Sequence, residues 1–271
     1  MPEWTFTELL RNFFTHKDFL PAADTIPGTM FTPLHFIFAA ISLSAVIGLS
    51  FYLSRRRERT RRTVFCVLWA LIVVLEVVKI AWESFTGATV GIEWTGVLPL
   101  YPCSIFMYAM PLCIFGHGDV HRAGCGYLCT LGLLGGTINF VYPATILGNY
   151  SCISFAGFHT FLYHGAIVLC ALTLLLSGDH SYRGVTRWQQ LLIPALPFLG
   201  VSVLANLVNF SPIDSDYMFF KLESFIFAPI GRALPDLVCV VIVYAAYLAI
   251  HALPYLPSYL AYRRSQKSLT A

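Results

Sequence analysis

The sequence predicts an all-α, polytopic transmembrane bundle of about seven helices, with the N-terminus outside and the C-terminus cytoplasmic, and three observations carry that prediction. Hydrophobic residues fill 57% of the 271 positions and charged residues only 11%, whereas soluble domains carry about one quarter charged residues. Mean hydropathy is +0.70, more apolar surface than a soluble core absorbs. The apolar residues fall in runs that each reach about the 20 residues needed to cross hydrocarbon as a helix, and the Lys and Arg residues crowd into alternate connections between them.

Residues 1–31 lack the basic flank, short apolar stretch and small-residue cleavage site of a signal peptide. Trp4, Phe6, Leu9, Leu10, Phe13 and Phe14, interspersed with polar residues, suit a short helix lying in the headgroup zone; a frayed terminus fits the same pattern. Apolar runs then span residues 32–53, 63–83, 97–115, 123–142, 155–177, 189–210 and 234–256. All read as helices, because backbone in lipid must satisfy its own hydrogen bonds. Pro and Gly fall where helices should end, as at Tyr142-Pro143 and Leu253-Pro254-Tyr255. Residues 32–256 form one transmembrane domain and 257–271 a cytoplasmic tail.

Orientation follows from the positive residues. Six Arg lie between Ser54 and Arg62, and the other connections on that side add Arg122, Arg183, Arg187, Arg263, Arg264 and Lys267. The opposite side holds only Arg11, Lys17, Lys221 and Arg232. Positive loops stay cytoplasmic, so the arginine run is a topology signal and no nucleic-acid partner is expected.

Ionisable groups inside a bilayer cost several kcal/mol and mark partners or cavities. Under this topology they gather in the outer half: His35 opens the first helix, Glu76, Lys79 and Glu83 end the second, and Tyr101 and Cys103 start the third. Asn139 and Tyr142 end the fourth, His159 and His164 start the fifth, and Asn206 and Asn209 end the sixth. Glu76 and Lys79, three apart, share a helix face and can pair. Any one Asn or His could simply cross-link helices, but their common depth points to one site in a cavity open toward the outer leaflet.

Within this set Cys103 is the strong nucleophile. It sits near a helix start, where unsatisfied backbone N–H groups favour a thiolate, and Pro99 and Pro102, which lack that donor, fit a helix entrance. His164 or His159 could act as its base, as in Cys-His systems; five apart, they do not share one stripe. His117, His121, His180 and His251 read as solvent-facing or interfacial. Among the eight cysteines, Cys66, Cys113, Cys129, Cys170 and Cys239 read as small buried hydrophobes. Cys125 and Cys129 share a face without a nearby His or Asp to complete a ligand set, so neither a metal nor another cofactor is expected.

Leu98-Pro99-Leu100-Tyr101-Pro102-Cys103-Ser104-Ile105, the segment Phe161 to Ile167 with Tyr163-His164, and Asn206 to Met218 resemble the bacterial YwaF family of integral membrane proteins. That family is similar in turn to an animal transmembrane acyltransferase of ether-phospholipid remodelling, whose Asn-Pro-Cys and Gln-His segments resemble Tyr101-Pro102-Cys103 and Tyr163-His164; Ser104 stands where the animal enzyme has His. The resemblance implies a thiol nucleophile at Cys103, a catalytic His164 and membrane lipids as substrates. Lys79, Asn206, Asn209 or backbone N–H groups of the third helix are candidates to hold the oxyanion. It also favours a bacterial cytoplasmic membrane; in a eukaryotic endomembrane the sequon Asn149-Tyr150-Ser151 would become relevant. The competing expectation is a transporter or a lipid- or small-molecule-binding protein using Glu76 and Lys79, although no internal repeat of the kind common in carriers is evident.

Overall fold

The computed structural model describes residues 4–92, 97–223 and 227–270. All their regular secondary structure is helical, and six helices are long and apolar enough to span a membrane. We number the apolar helices α1 (Pro33–Ser54), α2 (Glu58–Thr86), α3 (Cys103–Phe115), α4 (Asp119–Leu147), α5 (Phe155–Ser177), α6 (Trp188–Asn209) and α7 (Asp236–Ser268). The seventh expected span is α3, which is shorter than the other six.

Local chemistry sets the boundaries. Thr32 caps α1, accepting from His35 N–H, with Pro33 in the first turn. Ser154 caps α5 in the same way through Gly157 N–H, and Gly178 closes it at φ +80. Pro99 and Pro102 keep the chain ahead of α3 non-helical, so the helix starts at Cys103 in a 3-10 turn. At about 1.5 Å per residue, α3 spans roughly 20 Å of the ~30 Å hydrocarbon thickness.

Non-helical backbone at that depth survives only where protein satisfies it, and three tyrosines do so. Tyr217 Oη accepts from Leu98 N–H at 2.9 Å. Tyr127 donates to Pro102 O at 2.5 Å, and Tyr163 donates to Cys103 O at 3.4 Å. The α3 entrance is thereby clamped by α4, α5 and the segment after α6.

Helix α5 is the centre of the bundle: 72% of its apolar stretch is buried, against 11% for α2 and 17% for α1. It packs on α1, α2 and α4, and α3 pairs with α4 as a tight hairpin. The main core gathers Phe106, Tyr127, Tyr163, Phe198 and Tyr217, and a smaller one gathers Phe140, Leu147 and Phe161. Outward faces are strongly apolar, as in Ile37 and Ile41 of α1 and Val74 and Val77 of α2, the pattern of helices that meet lipid.

The N-terminal segment is built rather than frayed. Phe6–Arg11 is a helix with a Thr5/Glu8 capping box. The chain after it docks across the bundle end, with Phe155 N–H on Phe13 O at 2.8 Å and Trp82 Nε1–H on Phe14 O at 2.9 Å.

His251 departs from the solvent-facing reading. It is fully buried, with Nδ1 2.6 Å from Thr130 Oγ1, because α7 packs against a π-helical turn of α4 at Leu128–Gly132. His180 is half-buried and its Nε2 lies 2.7 Å from Tyr255 Oη.

Candidate functional site

The end of the bundle that carries the docked N-terminal segment holds a charged cluster. Lys79 Nζ lies 3.8 Å from Glu76 Oε1 and 3.9 Å from Glu83 Oε2, the i,i+3 and i,i+4 partners that one α2 face provides. His159 Nε2, on α5, lies 3.3 Å from Glu76 Oε2. His159 is 5% exposed, so this network sits between α2 and α5 among apolar neighbours. Cys103, half-buried, is close enough to interact electrostatically with both Glu76 and Lys79. Sequence neighbours on α2 supply both the i,i+3 and the i,i+4 pair; tertiary packing supplies His159 and Cys103.

His164, one turn further along α5, has a fixed tautomer. Its Nδ1 lies 2.7 Å from the Thr160 carbonyl, which only accepts, so Nδ1 carries the proton and Nε2 keeps its lone pair. Thr160 Oγ1 in turn reaches Asn139 Oδ1 at 3.4 Å. Among the described residues no hydrogen bond joins Cys103 Sγ to either histidine. Tyr163 lies between the imidazoles, its ring 5.8 Å from His159 and 5.5 Å from His164, while its hydroxyl reaches the Cys103 carbonyl.

The other expected members do structural work nearby. His35 is fully buried with both ring nitrogens engaged: Phe31 N–H donates to Nδ1 at 3.2 Å and Nε2–H donates to Phe140 O at 3.1 Å. It belongs with α1 and α4, away from Cys103. Tyr142 sets its ring at a tilt beside Phe31, centroids 5.9 Å apart. Asn206 donates to Tyr244 Oη at 2.9 Å, linking α6 to α7. Asn209 clamps the turn after α6, donating to Tyr217 O at 2.9 Å and accepting from Tyr217 N–H at 2.7 Å. Tyr101 rests its ring on Tyr217 and Phe219, with centroids 5.1 and 5.5 Å away.

The charged groups fold onto one another, because an unpaired charge among apolar helices is costly. A hollow of about 510 Å³ lies beside Gly48, Phe51, Tyr52, Arg55 and Arg56 at the other end of the bundle.

Sequence reasoning missed Tyr127, Tyr217 and Thr160, and took Tyr163 only as part of a motif. Only Thr160 carried a usable signal, lying four residues before His164 on the same helix. The reading of Cys125 also needs correction: His121 and Cys113 stand beside it, all three ligand atoms within 4.8 Å of one another. His121 is half-buried and not solvent-facing, since α4 begins at Asp119 and puts positions 121 and 125 on one face.

The site thus sets a thiol at a helix entrance within electrostatic reach of a lysine held between carboxylates, in a bundle of apolar helices. The TMEM164 family model matches residues 30–260. The chain belongs to the TMEM164 family, and the match takes in α1 to α6, α7 as far as residue 260 and every residue of the cluster. It is a multi-pass membrane protein. No curated protein and no solved structure matches it.

Proposed function

We propose that this TMEM164-family protein is a thiol-dependent acyltransferase that moves a fatty-acyl group between membrane phospholipids, with Cys103 as nucleophile and His164 as base. The observation that carries the reading is the placement of Cys103. It stands in the first turn of α3, partly buried against the main core and within electrostatic reach of Lys79. Partial exposure lets a lipid ester reach the sulfur sideways from the bilayer, and family membership together with the Tyr101-Pro102-Cys103 and Tyr163-His164 segments supports the same chemistry.

The reaction runs in two transfers. His164 Nε2 takes the Cys103 proton as the side chains close together, contacts of this kind often being long before substrate binds. The sulfur attacks the ester carbonyl carbon, and the carbonyl oxygen becomes an oxyanion beside the Lys79 ammonium. Collapse expels the lysolipid alkoxide, which takes the proton back from His164 and leaves a thioester. A second lysolipid hydroxyl then gives its proton to His164 and attacks the thioester, restoring the thiol. Of the candidate oxyanion groups, Asn209 is committed to Tyr217 and Asn206 Nδ2 to Tyr244, so Lys79 is the remaining side chain.

The test is transfer of a labelled acyl chain to a lysolipid acceptor by the purified protein in lipid. We expect Cys103→Ala to abolish both transfer and any hydroxylamine-sensitive label on the protein. His164→Ala should slow transfer by roughly 10²–10⁴-fold. Folded variants as active as the wild type would sink the reading.

A second reading, a transporter or a lipid- or small-molecule-binding protein, draws on the mutual pairing of Glu76, Lys79, Glu83 and His159, which needs no thiol. It is distinguished by tolerance: under it Cys103→Ser retains full function.

A further inference from the structure

The α3–α4 hairpin carries a second constellation at the end of α3 away from Cys103. We propose that Cys113, His121 and Cys125 form a binding site for a zinc(II) ion that staples this hairpin.

The backbone brings the three ligands together by construction. The turn between the helices passes through Gly118 at φ +57, a conformation glycine adopts without strain. The helices then approach until backbone meets backbone: a Cβ at Gly124 would lie 2.4 Å from Cys113 N and 2.6 Å from Ala109 O. That contact sets Cys113, near the end of α3, directly across from Cys125, the neighbour of Gly124. His121 joins from the same α4 face, one turn before Cys125.

The donor chemistry matches. His121 Nδ1 lies 2.7 Å from the Cys113 carbonyl, so Nδ1 carries the proton and Nε2 presents its lone pair. A metal-binding histidine characteristically anchors its other ring N–H on a carbonyl or carboxylate in this manner. His121 Nε2 lies 3.5 Å from Cys125 Sγ. With bonds of about 2.3 Å to sulfur and 2.0–2.1 Å to nitrogen, a tetrahedral zinc requires ligand atoms spaced roughly 3.5–4 Å apart.

Two sulfurs and an imidazole exclude calcium and magnesium, which take oxygen ligands, and select a thiophilic ion. As the ion binds, each thiol releases its proton to solvent and each sulfur forms one bond to the metal. Zn²⁺ with two thiolates and a neutral imidazole then carries no net charge, which suits cysteines that are 4% and 0% exposed. His121 is only half-buried, so the fourth position opens on the outer side of the hairpin and takes water.

The site is separate from the proposed reaction. Ten residues divide Cys113 from Cys103, roughly 15 Å along the helix, and the staple would hold whatever reaction occurs at Cys103.

The full-length protein, purified with a tag free of histidine and stripped with chelator, is titrated with zinc(II) and separately with cobalt(II). We expect roughly one zinc per chain, and cobalt should give sulfur-to-metal charge-transfer absorption with the visible bands of a tetrahedral ion. Cys113→Ser, His121→Ala and Cys125→Ser should each weaken binding by more than about tenfold, while Cys103→Ala and Cys170→Ser leave it unchanged. Thermal stability should rise with zinc in the wild type and not in the three variants. Folded wild-type protein that binds no zinc, binds copper(I) but not zinc, or binds zinc equally in the variants would overturn the proposal.

Discussion

Asn209 shows how much one buried side chain can govern in this bundle. It is 1% exposed, and both amide atoms are spent on the Tyr217 backbone. Tyr217 in turn uses its hydroxyl to satisfy Leu98 N–H ahead of α3 and its ring to support Tyr101. Removing the amide strands two buried backbone groups, each costing about 1–3 kcal/mol. Asn209→Ala should therefore lower the midpoint of thermal unfolding in detergent, and Asn209→Asp, which keeps the acceptor but loses the donor, should fall between it and the wild type. If Cys103 is the nucleophile, both variants should also slow acyl transfer; unchanged stability in Asn209→Ala would show that the clamp carries no weight. This role was hidden in the sequence, where Asn209 is one more polar residue at a helix end. The i,i+3 pair of Glu76 and Lys79 was legible because both partners lie on one helix, as does Glu83, whereas His159 joins only through tertiary packing.

At the scale of elements, the apolar runs were legible because lipid imposes length and hydropathy together. The late start of α3 was less so: Pro99 and Pro102 mark it, but the tyrosine hydroxyls that make it tolerable come from distant positions. The docked N-terminal segment was only half legible, its aromatic residues being equally compatible with fraying. Its docking has a pH signature. The Ala88 backbone N–H, 2.9 Å from Asp18 Oδ2, holds the Asp18 carboxyl below its ordinary value of 3.8, with His16 and Lys17 adding to the effect. A carboxylate lowered in this way stabilises the docked form fully above the ordinary value, and the contribution is lost as pH falls through the lowered one. We expect the Ala88 amide to be protected from hydrogen exchange near neutral pH and to lose protection in Asp18→Asn. Equal protection in the variant would remove Asp18 from the docking contact. At the opposite end, Arg61 grips Asp179 with two hydrogen bonds of 2.7 and 2.5 Å, tying the start of α2 to the turn after α5. Bidentate geometry and an Arg61 side chain only 10% exposed make this pair stronger than a surface ion pair. Asp179→Ala should cost roughly 1.5–3 kcal/mol, and a double-mutant cycle with Arg61→Ala should recover a coupling energy of similar sign and scale.

For the whole molecule, the distribution of charge and the burial pattern lead to one orientation. The six Arg between Ser54 and Arg62 sit at the connection between α1 and α2 and the first turn of α2, and Arg263, Arg264 and Lys267 form the basic last turns of α7. The docked N-terminal segment and the Glu76–Lys79–His159 cluster share the other side. Because positive residues near short loops resist translocation, the α1–α2 connection and the C-terminus should be cytoplasmic, which places the cluster and Cys103 nearer the outer leaflet. Arg61 is committed to Asp179, so a clean test spares it and neutralises Arg55, Arg56, Arg57 and Arg59 together. In the wild type a reporter fused to the C-terminus should be active only in the cytoplasm, and a tag at the N-terminus should be accessible from outside. The fourfold substitution should leave the helices intact but yield a mixed population, with part of the C-terminal reporter translocated. A wild-type C-terminal reporter found outside would invert the topology and move the thiol to the cytoplasmic leaflet, so that any acyl donor would have to come from that leaflet.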